Sequence, residues 1–254
     1  MVRLGQNFLS DPNLLDAIVR DAELRLADVV LEVGAGEGVL SERLAEAVTH
    51  LHSVEIDQGL ADALAPLGQR ANVSLHWGDA MQFDFTTLQP VPTAMVANLP
   101  YSVATPVILR TIEQLPSLQR WTVMVQREIA ERLRAAPGSR TYGSPSVLAQ
   151  QACEVRLLRK VDPAVFRPRP RVDSAILALR RTGPAADPAT RELVRAAFAH
   201  RRKSLARSLE HLRPGSLATA REALEGLGLP ADARAEALSP EDFAALSAKL
   251  RSSD

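Results

Sequence analysis

The chain has 254 residues, 46% hydrophobic and 24% charged, with 30 Lys/Arg balanced by 30 Asp/Glu, a make-up typical of a soluble globular protein with room for one large domain and a small one. No apolar run reaches the roughly 18 residues of a membrane span, and the opening MVRLGQNFLSD lacks the apolar centre of a signal peptide, so a cytoplasmic protein with no membrane partner is expected. The single cysteine, Cys153, excludes an internal disulfide and reads as a small core residue; the five histidines (His50, His52, His76, His200, His211) lack metal-ligand spacing, so no metal is expected.

Along the first half, strand-like runs alternate with helical patterns. The runs are DVVLEVG (28–34), LHSVEID (51–57), VSLHWGD (73–79), TAMVANL (93–99) and WTVMVQ (121–126), with amphipathic segments such as 39–48 and 103–115 between them. Strand and helix in alternation predict a Rossmann-like α/β fold with a mostly parallel sheet. Two later runs, EVRLLRKV (154–161) and SAILALRR (174–181), lie close in sequence and are expected to pair antiparallel at the sheet edge. TGPAADPAT (182–190) has the composition of a boundary, which predicts a sheet domain over 1–183 and a small all-α domain over 184–254. Within the latter, GLGLP (226–230) breaks the helical pattern and SPEDF (239–243) reads as a capped helix start.

The first run ends in a glycine loop. A dinucleotide fingerprint G-x-G-x-x-G would need glycine at 39 or 41, where Val39 and Ser41 stand, so the sequence disfavours a nicotinamide oxidoreductase. Glu32-Val33-Gly34-Ala35-Gly36-Glu37-Gly38 instead resembles the first motif of S-adenosylmethionine-dependent methyltransferases. Glu37 beside the loop disfavours a pyrophosphate and tolerates a sulfonium cation. Glu55 ends the second strand, 21 residues after Gly34, where an acid can accept both hydroxyls of a ribose. Asp79 ends the third and could accept an adenine amino group, with Ala80 packing on the ring.

The fourth strand stops at Asn98-Leu99-Pro100-Tyr101. Proline fixes the turn and keeps Leu99 extended, so the Asn98 amide and the Leu99 carbonyl can converge on one exocyclic NH2 group, while Tyr101 offers a flat face to a purine. This tetrapeptide resembles the fourth motif of amino-methylating enzymes, and within them that of the rRNA adenine N6,N6-dimethyltransferases of the small ribosomal subunit. LGQNFL (4–9), VFRPRPRVDSAIL (165–177) and FAHRRKSLARSL (198–209) support the same family, in family order. The resemblance implies S-adenosylmethionine as cofactor, contacted by Asn7, Leu9, Gly34, Glu55, Asp79 and Asn98. It implies a catalytic tetrapeptide at Asn98, Leu99, Pro100 and Tyr101, with Phe166 stacking on the flipped target base opposite Tyr101. It also implies a substrate of two adjacent adenines in a 3′-terminal hairpin of small-subunit rRNA, met within a pre-30S-like particle by a monomer.

Charge is distributed unevenly: residues 1–119 carry 6 Lys/Arg against 15 Asp/Glu, 120–181 carry 13 against 5, and 191–213 carry 7 against 2. Arg167 and Arg169 in the first basic stretch and Arg201, Arg202 and Lys203 in the second are the expected RNA phosphate contacts. Two departures from the family stand out: the sequence starts almost at LGQNFL, without the basic segment many members carry ahead of it, and its net charge is zero, from which affinity for RNA is expected to depend more on the two basic stretches. The competing readings are a 23S rRNA adenine methyltransferase of the macrolide-resistance type, a DNA adenine methyltransferase, and an assembly factor that keeps the fold with little turnover. Leu99 and HRRKSL favour the small-subunit enzyme.

Overall fold

A computed structural model describes residues 7–200, 203–212 and 214–252. The chain opens with a short strand β1 (Phe8–Leu9), then α1 (Pro12–Asp21), β2 (Val29–Val33), α2 (Val39–Ala47), β3 (His50–Glu55), α3 (Ala61–Gly68) and β4 (Val73–Trp77). It continues through β5 (Ala94–Asn98), α4 (Ala104–Gln114), β6 (Arg120–Gln126), α5 (Arg127–Leu133), α6 (Ser144–Ala152), β7 (Cys153–Val161), β8 (Phe166–Arg167) and β9 (Ser174–Arg181). Four helices follow: α7 (Pro188–Ala199), α8 (Leu205–Leu212), α9 (Leu217–Glu225) and α10 (Pro240–Ser252).

Seven strands form one sheet in the order β4-β3-β2-β5-β6-β9-β7. β2 pairs parallel with β3 and β5, β3 with β4, and β5 with β6, whereas β9 runs antiparallel to β6. The expected mostly parallel sheet with an antiparallel edge is therefore the observed one. β2 (VVLEV) is buried at every position, as befits a parallel strand covered on both faces. Capping follows the local chemistry: Asp11 accepts from Leu14 N at 3.0 Å ahead of Pro12, and Ser239 and Asp242 cap one another's backbone amides at the start of α10. A pair absent from the sequence reading is β1 with β8, a two-stranded antiparallel ribbon in the register Phe8↔Arg167 and Leu9↔Phe166.

Contacts divide the chain into two units. One runs up to Ala130 and includes Val155–Arg181; the other comprises Glu131–Glu154 and the chain from Thr182 onwards. The expected division of 1–183 from 184–254 therefore misplaces residues 131–154, which fold with the C-terminal helices. The reason is specific: Tyr142 is fully buried, its hydroxyl donates to the Leu238 carbonyl at 2.9 Å, and its ring meets Phe198 edge-on at 5.9 Å. Gly138 N also donates to the Glu236 carbonyl at 2.7 Å. Cys153 is buried, and no group of three His, Cys, Asp or Glu side chains among the described residues is arranged to hold a metal. None of the described helices is long and apolar enough to cross a membrane.

Candidate active site

From β2 the chain builds outward in two directions, to β3 and β4 on one side and to β5 and β6 on the other. At such a reversal the connections leave the neighbouring strand ends in opposite directions, and a crevice opens between their carboxyl ends. Here those ends belong to β2, which runs into the glycine loop, and β5, which runs into Asn98-Leu99-Pro100-Tyr101. A cavity with about 180 Å³ of room lies there, and Asn7, Leu9, Gly34, Glu55, Asp79, Asn98, Leu99, Pro100 and Tyr101 all line it.

The loop and the tetrapeptide touch. Gly34 has φ +82°, and a Cβ built on it would lie 3.3 Å from Pro100 Cδ and 3.6 Å from the Asn98 carbonyl oxygen. Gly36 has φ +57°, and its Cβ would lie 3.2 Å from the Phe8 ring. Both positions need glycine for conformation as well as space, so the loop backbone is packed between Pro100 and Phe8. Phe8 also lines the cavity. The sequence reading passed it over in favour of its neighbours Asn7 and Leu9; what fixes it is strand pairing with Arg167, for which a two-residue strand gives no periodic signal. Ile56, half-exposed at 48%, lines the cavity beside Glu55 and was likewise missed.

Glu55 is 3% exposed and held by three backbone amides. Its Oε2 accepts from Gly36 N at 2.9 Å, while Oε1 accepts from Ile56 N at 2.9 Å and Asp57 N at 2.8 Å. A carboxylate has about four acceptor positions, so these bonds fix its orientation and leave capacity for a ligand hydroxyl. Asp79 Oδ1 accepts from Met81 N at 2.8 Å, so this side chain caps the turn after β4 while facing the cavity. Arg110 on α4 braces that turn by donating to the carbonyls of Ala80 and Phe83 at 2.9 and 2.8 Å.

Glu32 is buried beneath the loop, and its Oε2 accepts from the hydroxyls of Ser41 at 2.5 Å and Ser53 at 2.8 Å. Burial pushes its pKa up to about 7, against the pull of both serine hydrogen bonds, and the nearby Glu55 adds to the rise. Asn98 Nδ2 donates to the Asn7 carbonyl at a long 3.5 Å, which commits the amide nitrogen and turns its oxygen into the acceptor on offer. Leu99 N donates to the Met124 carbonyl at 3.0 Å, extending the β5–β6 ladder by one bond, and Val103 N donates to the Pro100 carbonyl at 3.1 Å to close the turn. The Tyr101 hydroxyl lies 2.6 Å from Ser174 Oγ, and burial raises its pKa above the ordinary tyrosine value.

Phe166 does not take the place expected of it. Its side chain is 2% exposed, belongs to the hydrophobic core with Leu9, Leu15 and Ile18, and is not part of the cavity wall. The prolines and arginines around it suggested an exposed loop, but pairing with Leu9 turns its ring inward and leaves Arg167 outside. A buried ring there anchors β1, the strand that closes over the glycine loop, and is not presented to a base.

The first basic stretch is partly structural. Arg120 pairs with the nearly buried Asp28, Arg159 holds Asp21 at 2.5 Å, and Arg181 donates to the carbonyls of Ile112, Leu115 and Leu118. Arg167 and Arg169 are exposed, Arg169 lying 3.7 Å from an equally exposed Asp162. In the helical unit Lys203 is exposed, with its Nζ 2.5 Å from His211 Nε2; Arg201 and Arg202 lie outside the described residues.

Comparison with known proteins agrees in fold and in family. Residues 2–251 match the family described as "Ribosomal RNA adenine dimethylase". A relative from Rubrobacter xylanophilus, named ribosomal RNA small subunit methyltransferase A, is 47% identical over 248 residues, covering 96% of this chain and 92% of its own. Among solved structures, a dimethyladenosine transferase from Plasmodium falciparum superposes with a TM-score of 0.78 at 25% identity, over 94% of this chain and 95% of that one. A 23S rRNA methyltransferase superposes with a TM-score of 0.69 at 29% identity, over 96% of this chain and 100% of that one.

Proposed function

The chain belongs to the ribosomal RNA adenine dimethylase family, and from that premise we propose that it transfers methyl groups from S-adenosylmethionine to N6 of two adjacent adenines near the 3′ end of small-subunit rRNA, giving N6,N6-dimethyladenosine. The observation that carries this reading is the meeting of the two motifs in one crevice: the Gly34 backbone is packed against Pro100 and the Asn98 carbonyl, and all three residues line the same cavity. A nucleoside cofactor fits the residues present. The glycine loop leaves its backbone open to close approach, Glu55 offers a fixed carboxylate to a ribose diol, and Asp79 faces the cavity with a second carboxylate for an adenine amino group.

When bound, S-adenosylmethionine supplies an electrophilic methyl group on its sulfonium sulfur. The work of the chain is to present a poor nucleophile to it, since the adenine N6 lone pair is delocalised into the ring. In our reading the Asn98 Oδ1 and the Leu99 carbonyl accept the two N–H bonds of N6, favouring a pyramidal nitrogen and aiming its lone pair, while Tyr101 stacks on the base. The product nitrogen is cationic and sheds its proton to water, so no general base is required. Arg167, Arg169 and Lys203, with Arg201 and Arg202, supply phosphate contacts.

The small-subunit target is preferred to a 23S target because the 47%-identical relative carries the small-subunit name, whereas the 23S enzyme is 29% identical. We further propose that the protein acts in the cytoplasm, as a monomer, on a pre-30S-like particle. The test is Asn98→Ala. Turnover is expected to fall at least about a hundredfold while affinity for S-adenosylhomocysteine, read by calorimetry, changes far less. Undiminished product formation would remove Asn98 from the mechanism.

A further inference from the structure

We propose that Ser174 is a positioning residue for Tyr101, locking the ring into a preformed platform for the target base; the proposal rests on the methyltransferase reading above. Parallel strands bring their carboxyl ends to the ligand crevice, so the first residue of a parallel strand lies at the far edge of the sheet. β9 is antiparallel to its neighbour β6, and the register Gln126↔Ser174 therefore sets its first residue at the carboxyl end of β6, on the crevice side. Reversal of this one strand is what carries Ser174 to the tetrapeptide.

There its Oγ lies 2.6 Å from the Tyr101 hydroxyl, a short hydrogen bond, and Ser174 itself is fully buried. The start of β9 is clamped in turn: Arg127 N donates to the Asp173 carbonyl at 2.9 Å, and the Arg127 guanidinium stands 3.6 Å from the Asp173 carboxylate. Tyr101 is consequently held at both ends, by the Pro100 turn at its backbone and by Ser174 at its hydroxyl. A ring fixed at both ends loses little further freedom when a base stacks on it, which is the preorganisation that favours capture. With Phe166 buried in the core, Tyr101 carries this duty without a partner at that position.

The experiment is a double-mutant cycle with Ser174→Ala, Tyr101→Phe and the pair, all retaining the ring. Each single variant is expected to lower kcat/KM on unmethylated small subunits by about tenfold, mostly through KM, with affinity for S-adenosylhomocysteine unchanged. The pair should be no worse than either single change, because both break the same hydrogen bond. A second readout needs no turnover: a 3′-terminal hairpin RNA with 2-aminopurine at a target adenine should be quenched on binding by the wild-type chain and less so by both single variants. Multiplying effects in the cycle, equal quenching by Ser174→Ala and wild type, or no quenching by wild type would each overturn the proposal. If Ser174→Ala folds poorly, Tyr101→Phe alone decides, since it breaks the bond from the half-buried partner. A wild-type chain that quenches but methylates no adenine would refute the enzymatic reading and leave the positioning role standing.

Discussion

Gly34→Ala separates backbone strain from crowding at the point where the two motifs touch. At φ +82° an L-alanine costs about 1–2 kcal/mol relative to glycine. Its Cβ would also stand 3.3 Å from Pro100 Cδ, closer than ordinary contact, so Pro100 and with it Asn98 must move by a few tenths of an ångström. The strain alone should lower the melting temperature by about 2–8 °C, taking about 2–4 °C per kcal/mol for a chain of this size. A misplacement of about 1 Å in a catalytic group costs about a hundredfold, so a shift of a few tenths should cost turnover about tenfold. Gly138→Ala is the control, because Gly138 has φ +79° with nothing within 4 Å of its Cβ position. It should melt lower by a similar amount and keep full activity. The assays are thermal melts by circular dichroism and single-turnover methyl transfer on unmethylated small subunits. Gly34→Ala with wild-type turnover, or Gly138→Ala with an equal loss of turnover, would refute the coupling between loop and tetrapeptide.

Phe166 gives a second test: Phe166→Leu keeps an apolar core and should cost clearly less stability than alanine, with turnover retained, whereas Phe166→Ala should cost about 3–5 kcal/mol in urea unfolding; a tenfold turnover loss in a well-folded Leu variant would restore the stacking role. Stability should also depend on pH through two buried groups of opposite sign. His52, 1% exposed and bonded to His76 at 3.1 Å and the Pro90 carbonyl at 2.8 Å, has its pKa lowered by burial from 6.5 to about 4. As pH falls from 6.5 towards 4 the unfolded chain takes up a proton that the folded chain refuses, so stability falls by up to about 3 kcal/mol. Glu32, raised from 4.5 to about 7, binds its proton more tightly when folded, and its contribution is lost as pH rises from 4.5 through 7. Glu32→Gln removes that opposing slope, so urea unfolding between pH 4.5 and 6.5 should show a steeper dependence than wild type; an unchanged slope would contradict the assignment. Asp21→Asn breaks an ion pair whose arginine is 43% exposed and should cost less than about 1 kcal/mol in the same assay.

The sheet was legible because its strands are five to nine residues long and alternate with helical segments over the first half of the chain, and because Glu55, Asp79 and Asn98 fall at or just after the carboxyl ends of β3, β4 and β5. The residues at those ends are brought together in one cavity. Three things could not be read locally. β1 and β8 are two residues each, too short for any period, and only their pairing shows that Phe166 faces the core and Phe8 the loop. Residues 131–154 lead from β6 into β7 of the sheet in the chain, and their membership of the helical unit depends on contacts with Leu238 and Phe198 far along the chain. Clustered arginines look alike in sequence whether they face solvent or, like Arg181, satisfy buried carbonyls.

The most direct test of the central claim is to incubate the purified protein with labelled S-adenosylmethionine and, separately, unmethylated small subunits, large subunits and DNA, then digest each and identify the modified nucleoside by mass. N6,N6-dimethyladenosine from small subunits alone is the expected product. Label confined to large-subunit RNA, or measurable cofactor binding with no label anywhere, would contradict it.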